Sequence, residues 1–337
     1  MMKKALFFIS KPLEMLAAIE AREQFNVGST YLVIKAKKND LETIQFLIQK
    51  SGNWSKVIYS KKKTSYGLSW VILLKKLKKI KFDLLFIRAF PIASYFIHNL
   101  KYKTFYLLDD GNATINISSE FKNKQNLKSR LSLFGLKDDK FKYRLITKIY
   151  TFLGIKIKND VSRISFFTFY QLDEVLNQMV VINQMNWLCK LKYDNHLNEL
   201  NNSVFIVGTN VCNAQIINEF DYFDYLKGLI SHYPDKKVFY IPHKREKGCF
   251  LQKIQNNLNL EIRTTKFNLE LDFLLNNEIP MNLVGSISTA LLTMKFMYKK
   301  TIDVRFSKFN EVKINSEYKE ELNRIYDFQS KYISPIS

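Results

Sequence analysis

Cysteine is scarce in this chain. Three occur in 337 residues, Cys189, Cys212 and Cys249, and no two of them form a Cys-x-x-Cys pair. An odd, dispersed set argues against a disulfide framework or a structural zinc site and fits a reducing compartment. Glycine (10) and proline (6) are also few, which leaves little chain for long flexible linkers. No run reaches the roughly 18–20 uninterrupted apolar residues of a membrane-spanning helix. The opening Met1-Met2-Lys3-Lys4, followed by Ala5–Ser10, has the outline of a secretion signal. Lys11-Pro12 breaks its apolar run and no small-residue cleavage pattern follows, so a first β-strand is expected there and a cytoplasmic location with it. The Walker, HExxH and GxSxG patterns and the dinucleotide glycine fingerprint are all missing. Acidic residues are outnumbered as well. Asp and Glu total 31 against 52 Lys and Arg, a formal charge of +21 and a pI near 9.6. That excess favours nucleic acid, an anionic membrane surface or acidic glycans as partners, with plain solubility as the bland alternative.

What is present is globular. Hydrophobic residues make up 47% and aromatics 14%, and the length suffices for two domains, each with its own core. Short apolar runs at Ala5–Ser10, Tyr31–Lys35, Asp83–Arg88 and Thr104–Leu108 alternate with helical patterns at Leu13–Glu23 and Leu41–Ser51. A second series follows at Ser203–Gly208, Lys237–Ile241, Leu260–Arg263, Asn282–Gly285 and Thr301–Val304. Helical patterns at Phe223–Ser231, Phe250–Asn257 and Ala290–Tyr298 lie between its members. This rhythm predicts an α/β protein of two Rossmann-like domains facing a central cleft. The expected boundaries are 1–170 for an acceptor-side domain, 171–202 for a polar, helical crossing, 203–305 for a donor-binding domain and 306–337 for a helical tail.

Two segments depart from the rhythm. Trp70, Leu73, Leu74, Leu77 and Ile80 share one helical face while Lys75, Lys76, Lys78 and Lys79 take the other. Such a helix either packs on a core with its lysines solvated or lies in a membrane interface. The stretch 121–158 is rich in Lys and Arg and carries Leu131, Leu133, Phe134, Leu145, Ile146, Tyr150 and Phe152, a second candidate basic surface. Lysines near an anionic leaflet contribute about 1 kcal/mol each, so several together suit a peripheral enzyme on the inner face of the membrane.

Three segments at expected strand ends carry the chemistry. Asp109-Asp110-Gly111 follows Thr104–Leu108; a carboxylate there can take the proton of an attacking hydroxyl, and a neighbouring carboxylate would raise its proton affinity. Pro242-His243-Lys244-Arg245-Glu246 follows Lys237–Ile241 and offers imidazole and guanidinium to a phosphate. Gly285-Ser286-Ile287-Ser288-Thr289 opens a helical pattern, where a hydroxyl cap and free backbone N–H groups suit an anion. Each also has an ordinary reading: a solvent turn, an exposed loop and a simple helix cap. His98, His196 and His232 have no comparable setting.

In order along the chain, the three segments resemble the bacterial sialyltransferases of the glycosyltransferase family 52 type and the related polysialyltransferases. Those enzymes share an Asp/Glu-Asp/Glu-Gly motif, a His-Pro motif and a paired Ser/Thr motif. Here the first reads Leu107-Leu108-Asp109-Asp110-Gly111-Asn112-Ala113-Thr114 and the second Tyr240-Ile241-Pro242-His243-Lys244-Arg245-Glu246. The third reads Ser286-Ile287-Ser288-Thr289-Ala290-Leu291-Leu292, and the opening Phe8-Ile9-Ser10-Lys11-Pro12-Leu13-Glu14 is similar too. Two positions depart from the pattern: Lys244 follows the histidine in place of proline, and Thr289 stands where a second serine is usual.

The resemblance implies a two-domain glycosyltransferase-B fold and inverting, metal-independent transfer of sialic acid, or a related nonulosonic acid, from a CMP-activated donor. The acceptor would be a cell-surface glycan such as lipooligosaccharide or a capsular repeat, possibly on a lipid carrier. It also implies Asp110 as general base supported by Asp109, and His243 on the CMP phosphate. Lys244, Arg245, Ser286, Ser288 and Thr289 join the donor site, with Gly208-Thr209-Asn210 close to the nucleotide. Glu219, Asp221 and Asp224 are the fallback candidates for the base. A hexosyltransferase of the same fold with another nucleotide sugar is the first alternative. A nucleic-acid-binding protein is the second, opposed by the absence of any RNA- or DNA-binding motif. Nothing in the sequence opposes a homodimer.

Overall fold

The computed structural model describes residues 2–60, 68–88, 96–123, 148–156, 164–172, 179–193, 196–246 and 248–336. The chain divides into two compact units, Met1–Trp187 and Leu188–Ser337.

The first unit is built on a seven-stranded sheet in the order β3-β2-β1-β4-β5-β6-β7, with every pairing parallel. Its strands are β1 (Lys3–Ile9), β2 (Val27–Ile34), β3 (Lys56–Tyr59), β4 (Leu84–Ile87), β5 (Thr104–Leu108), β6 (Ile164–Thr168) and β7 (Val180–Ile182). β1 lies inside the sheet, between β2 and β4, because Ala5-Leu6-Phe7-Phe8-Ile9 is apolar on both faces, and all five residues are fully buried. Phe7 stacks on Phe86 at 4.9 Å and Phe86 on Tyr106 at 5.1 Å, so one aromatic row crosses three neighbouring strands. Helices α1 (Pro12–Gln24) and α2 (Lys38–Ser51) supply the crossovers β1–α1–β2 and β2–α2–β3. The chain leaves β1 in opposite directions toward β2 and β4, and such a reversal opens a crevice at the carboxyl ends of the strands.

α3 (Leu68–Lys78) corrects one expectation. Trp70 is only 3% exposed and packs edge-on against Phe8 at 5.3 Å and Phe96 at 5.5 Å, with Val71, Leu74 and Leu77 in the same core. The apolar face is therefore consumed by the first unit, and Trp70 cannot enter a bilayer. Lys75, Lys76, Lys78 and Lys79 stay exposed, joined by Ile72. In the second basic stretch, positions 124–147 lie outside the described residues; Tyr150 is buried and Phe152 is exposed. No helix among the described residues is long and apolar enough to cross a membrane.

The second unit repeats the plan in a six-stranded parallel sheet, β11-β10-β9-β13-β14-β15. Its strands are β9 (Ser203–Val207), β10 (Lys237–Ile241), β11 (Glu261–Ile262), β13 (Asn282–Gly285), β14 (Asp303–Phe306) and β15 (Ser334–Pro335). β8 (Asn198–Glu199) and β12 (Glu278–Ile279) form a separate parallel pair. The remaining helices are α4 (Ala113–Asn123) in the first unit, α5 (Asn186–Tyr193) at the boundary in sequence, and α6 (Glu219–Ser231), α7 (Gly248–Leu258), α8 (Leu269–Leu275), α9 (Thr289–Tyr298) and α10 (Lys319–Gln329) in the second.

Two stretches differ from their sequence-based descriptions. Between 171 and 202 the chain is not simply a helical crossing, because β7 completes the first sheet and β8 pairs with β12. The stretch 306–337 carries a helix, α10, and a strand besides. β15 pairs with β14, and Leu322, Ile325 and Tyr326 of α10 are buried in the second unit. Two Rossmann-like parallel sheets make this an α/β fold of the glycosyltransferase-B type.

Candidate active site

In the first unit β1, β4 and β5 end side by side, and a charged residue follows each end. Lys11 comes two residues after β1, Arg88 directly after β4, and Asp109-Asp110 directly after β5. Glu14, in the first turn of α1, is fully buried beneath them. One of its oxygens accepts the backbone N–H groups of Ser10 at 2.6 Å and Lys11 at 3.1 Å, so it caps the helix entry. Its other oxygen lies 3.1 Å from Arg88 Nε, a close ion pair without hydrogen-bond alignment. Burial pushes the Glu14 carboxyl up to about 7, against the pull of the Arg88 guanidinium.

The two halves of the Asp-Asp pair have opposite fates. Asp109 is fully buried, accepts the Phe169 N–H at 3.0 Å, and is pushed up to about 7 by burial. It braces the β5 and β6 ends. Asp110 reaches the surface of the crevice with its side chain 18% exposed, ion-paired with Lys11 Nζ and lying 3.6 Å from Arg88 Nη2. Burial alone would raise the Asp110 carboxyl, but Lys11 and Arg88 outweigh it and hold the group below the ordinary carboxylate range. The expectation that its neighbour raises the proton affinity of Asp110 is thus overturned. The repulsion within the pair falls on Asp109, while at Asp110 two cations contributed by distant segments outweigh burial.

In the second unit the central strands β9, β10 and β13 also end together, with Val207 paired to both Ile241 and Gly285. Gly208, His243 and Ser286 all follow within two residues of those ends. Gly208 donates its N–H to Ile241 at 2.8 Å. A Cβ there would lie 2.5 Å from Tyr240 Oη and 2.8 Å from Glu246 Oε2, so only glycine fits. Thr209 is buried and Asn210 half-buried beside it. The Asn213 amide donates to Asn210 Oδ1 at 3.1 Å and to the Arg245 carbonyl at 2.9 Å, tying the loop after β9 to the loop after β10.

His243 begins a tight turn closed by Glu246 N–H to the His243 carbonyl at 2.8 Å. The Arg245 N–H donates to His243 Nδ1 at 3.2 Å, which leaves the ring proton on Nε2. Burial, then the charges of Arg245 and Lys244, push the imidazole down to about 4. It is therefore a neutral Nε2–H donor at neutral pH. Lys244 and Arg245 are exposed at the tip of the turn.

The third segment splits. Ser286 is 1% exposed, and its hydroxyl lies 2.6 Å from Tyr326 Oη of α10. It is a structural link and not an open ligand for a donor, which corrects its expected role. Ser288 caps α9, accepting the Ala290 N–H at 3.3 Å, and Thr289 is the first residue of that helix. The Leu291 N–H donates to the Ser288 carbonyl at 3.2 Å, so the first turn of α9 is closed, with its positive dipole end a few residues beyond the end of β13.

The fallback carboxylates all lie on α6, and each is paired with a lysine. Glu219 pairs with Lys253 at 2.8 Å, Asp221 with Lys313 at 3.1 Å and Asp224 with Lys227 at 3.5 Å. Sequence reasoning assigned no role to Lys11, Glu14, Arg88, Tyr240 or Glu246. The signal available was position: each lies within five residues of a strand end. Among the described residues no group of three or more His, Cys, Asp and Glu side chains is placed to hold a metal ion.

No protein-family model matches the chain, and no curated protein matches its sequence. Solved structures do resemble it. The S. aureus MnaA–UDP co-structure has a TM-score of 0.50 at 10% identity, covering 98% of this chain and 92% of that one. UDP-GlcNAc 2-epimerase from Neisseria meningitidis bound to UDP-GlcNAc has a TM-score of 0.46 at 11% identity, covering 86% and 79%. At such identities the likeness is one of fold. The chain has a two-unit, parallel-sheet architecture of the glycosyltransferase-B type.

Proposed function

We propose that this chain is a glycosyltransferase that draws its sugar from a nucleotide-linked donor. The observation that carries the reading is the carboxyl edge of the second sheet. There Gly208, the neutral Nε2–H of His243 and the Ser288-capped start of α9 gather around adjacent strand ends, a set suited to a phosphate. On the first sheet Asp110 remains ionised beside Lys11 and Arg88 and serves as the acceptor's base.

In the reaction, Asp110 takes the acceptor hydroxyl proton as the acceptor oxygen bonds to the anomeric carbon. The bond from that carbon to the phosphate oxygen breaks, and its electron pair leaves with the nucleotide. The leaving charge is met by His243 Nε2–H and the positive dipole end of α9.

The fold likeness to MnaA, solved with UDP, favours a hexosyl group on a uridine nucleotide as the donor. The second reading is sialic acid or a related nonulosonic acid on CMP. It is favoured by the order of Asp109-Asp110-Gly111, His243 and Ser288-Thr289 along the chain. The acceptor in either case is a cell-surface glycan precursor. The exposed lysines of α3 support a position against an anionic membrane surface.

The test is nucleotide release by the purified protein from UDP-GlcNAc, UDP-glucose and CMP-sialic acid, each with and without a galactose-terminated acceptor. Acceptor-stimulated release from one donor, lost in Asp110→Asn while nucleotide binding survives, is the expected outcome. A protein that neither binds nor consumes any nucleotide sugar would contradict the reading.

A further inference from the structure

Glu246 lies where the loops after β9 and β10 meet. Its Oε2 accepts the His243 N–H at 2.6 Å and its Oε1 accepts the Tyr240 hydroxyl at 2.7 Å. The Tyr240 hydroxyl lies 3.1 Å from that of Tyr222, which is itself buried on α6. The Glu246 N–H returns to the His243 carbonyl at 2.8 Å, so backbone and side chain together close the turn from both sides. Gly208 packs so close that a single added carbon would strike both Glu246 and Tyr240.

We propose that Glu246 is a positioning residue of the donor site, a proton-linked clasp that holds the His243 turn against the Gly208 loop and takes up a proton when the donor phosphate arrives. This rests on the reading of the second sheet's edge as a nucleotide-sugar site. The carboxyl's surroundings explain the linkage. Burial pushes it up to about 7, against the hydrogen bonds from Tyr240 and His243. From β10 it meets Tyr240, and from α6 Tyr222. On its own turn it accepts the His243 backbone N–H, while Lys244 and Arg245 are exposed at the tip; from the loop after β9 it meets Cys212, whose thiol burial and Glu246 push up to about 12. Glu219 adds further negative charge on the Cys212 side. A phosphate bound at His243 Nε2 and the Gly208 loop adds one more anion, which the ionised carboxylate opposes and the neutral acid does not. The proton comes from solvent, and the neutral acid keeps a carbonyl oxygen for the His243 N–H.

Two measurements on the full chain test this. The first needs no donor: nitrogen-15 NMR of the His243 ring in the wild type, Glu246→Gln and Glu246→Ala, each checked for a cooperative melt. The expected result is an Nε2–H ring titrating far below 6.5 in the wild type and Glu246→Gln, and one returning toward 6.5 in Glu246→Ala. A ring unchanged in a folded Glu246→Ala would overturn the clasp. The second is the dissociation constant of UDP-GlcNAc and CMP-sialic acid from pH 6 to 8.5, probes whose phosphate diesters do not titrate in that range. Wild-type affinity should weaken by up to about tenfold per pH unit above 7, the limit for one linked proton, while Glu246→Gln is nearly flat. Equal slopes in the two proteins would overturn the proton linkage. If neither probe binds the wild type, the nucleotide-sugar reading fails while the ring measurement still decides the clasp.

Discussion

Replacing Asp109 by asparagine should stabilise the first unit, and by an amount that grows with pH. The buried Asp109 carboxyl is pushed from its ordinary 3.8 to about 7 in the folded chain. Between those values the native state binds the proton that the unfolded chain has released. The benefit of the neutral carboxyl is complete below 3.8 and is lost as pH rises through 7. At about 1.36 kcal/mol per pH unit, that separation corresponds to about 4 kcal/mol of stability forfeited between pH 4 and pH 8. Asparagine keeps an oxygen for the Phe169 N–H and does not titrate. Its amide must also find a place beside the Thr168 and Thr114 hydroxyls, an adjustment that adds an offset independent of pH.

The assay follows from the sequence. All three tryptophans, Trp54, Trp70 and Trp187, belong to the first unit, so urea unfolding followed by tryptophan fluorescence reads that unit selectively. The difference in unfolding free energy, Asp109→Asn minus wild type, should climb by about 4 kcal/mol from pH 4 to 8. A flat or falling difference would mean that Asp109 is ionised in the native chain and that the burial argument is wrong.

Other outcomes follow from the same geometry. Lys11→Met removes one of the two cations holding Asp110 low, so the acid limb of the pH–rate profile for transfer should move to higher pH; an unmoved limb would detach Asp110 from the rate. Gly208→Ala forces a carbon against Tyr240 and Glu246, and overpacking of this kind costs about 1–3 kcal/mol, so nucleotide affinity should drop about tenfold or more. Tryptophan-detected unfolding of the first unit should be untouched by that change. With Trp70 inside the core, the proposed membrane contact would rest on the exposed lysines of α3 and Lys79 after it, at about 1 kcal/mol each. The double substitution Lys75→Glu and Lys79→Glu should therefore release the protein from phosphatidylserine vesicles at low salt. Retention equal to wild type would remove α3 as the contact.

Much of the fold was legible in sequence because its central strands are continuous apolar runs. Ala5–Ile9 and Ser203–Val207 could be nothing but buried strands or short core helices, and flanking turns decided between these. Lys56–Tyr59 and Val180–Ile182 were not legible; four- and three-residue edge strands carry too little pattern. Trp70 shows a different limit. Helical spacing of apolar residues fixes which face is buried but not whether protein or lipid covers it. The site divides the same way. Asp110 and His243 stand at strand ends that sequence could find. The charges that govern Asp110 come from Lys11, 99 residues away, and from Arg88 on another strand, which no local pattern encodes. Ser286 was misjudged because Tyr326, 40 residues later, folds back onto its hydroxyl.

A nucleotide sugar bound at the carboxyl edge of the second sheet would shield the backbone it covers. Hydrogen–deuterium exchange with and without UDP-GlcNAc or CMP-sialic acid reads that shielding. Slowed exchange at 208–210, 243–246 and 288–291 in the presence of one donor is the predicted result. Protection confined to the first unit, or none with either donor at saturating concentration, would contradict it.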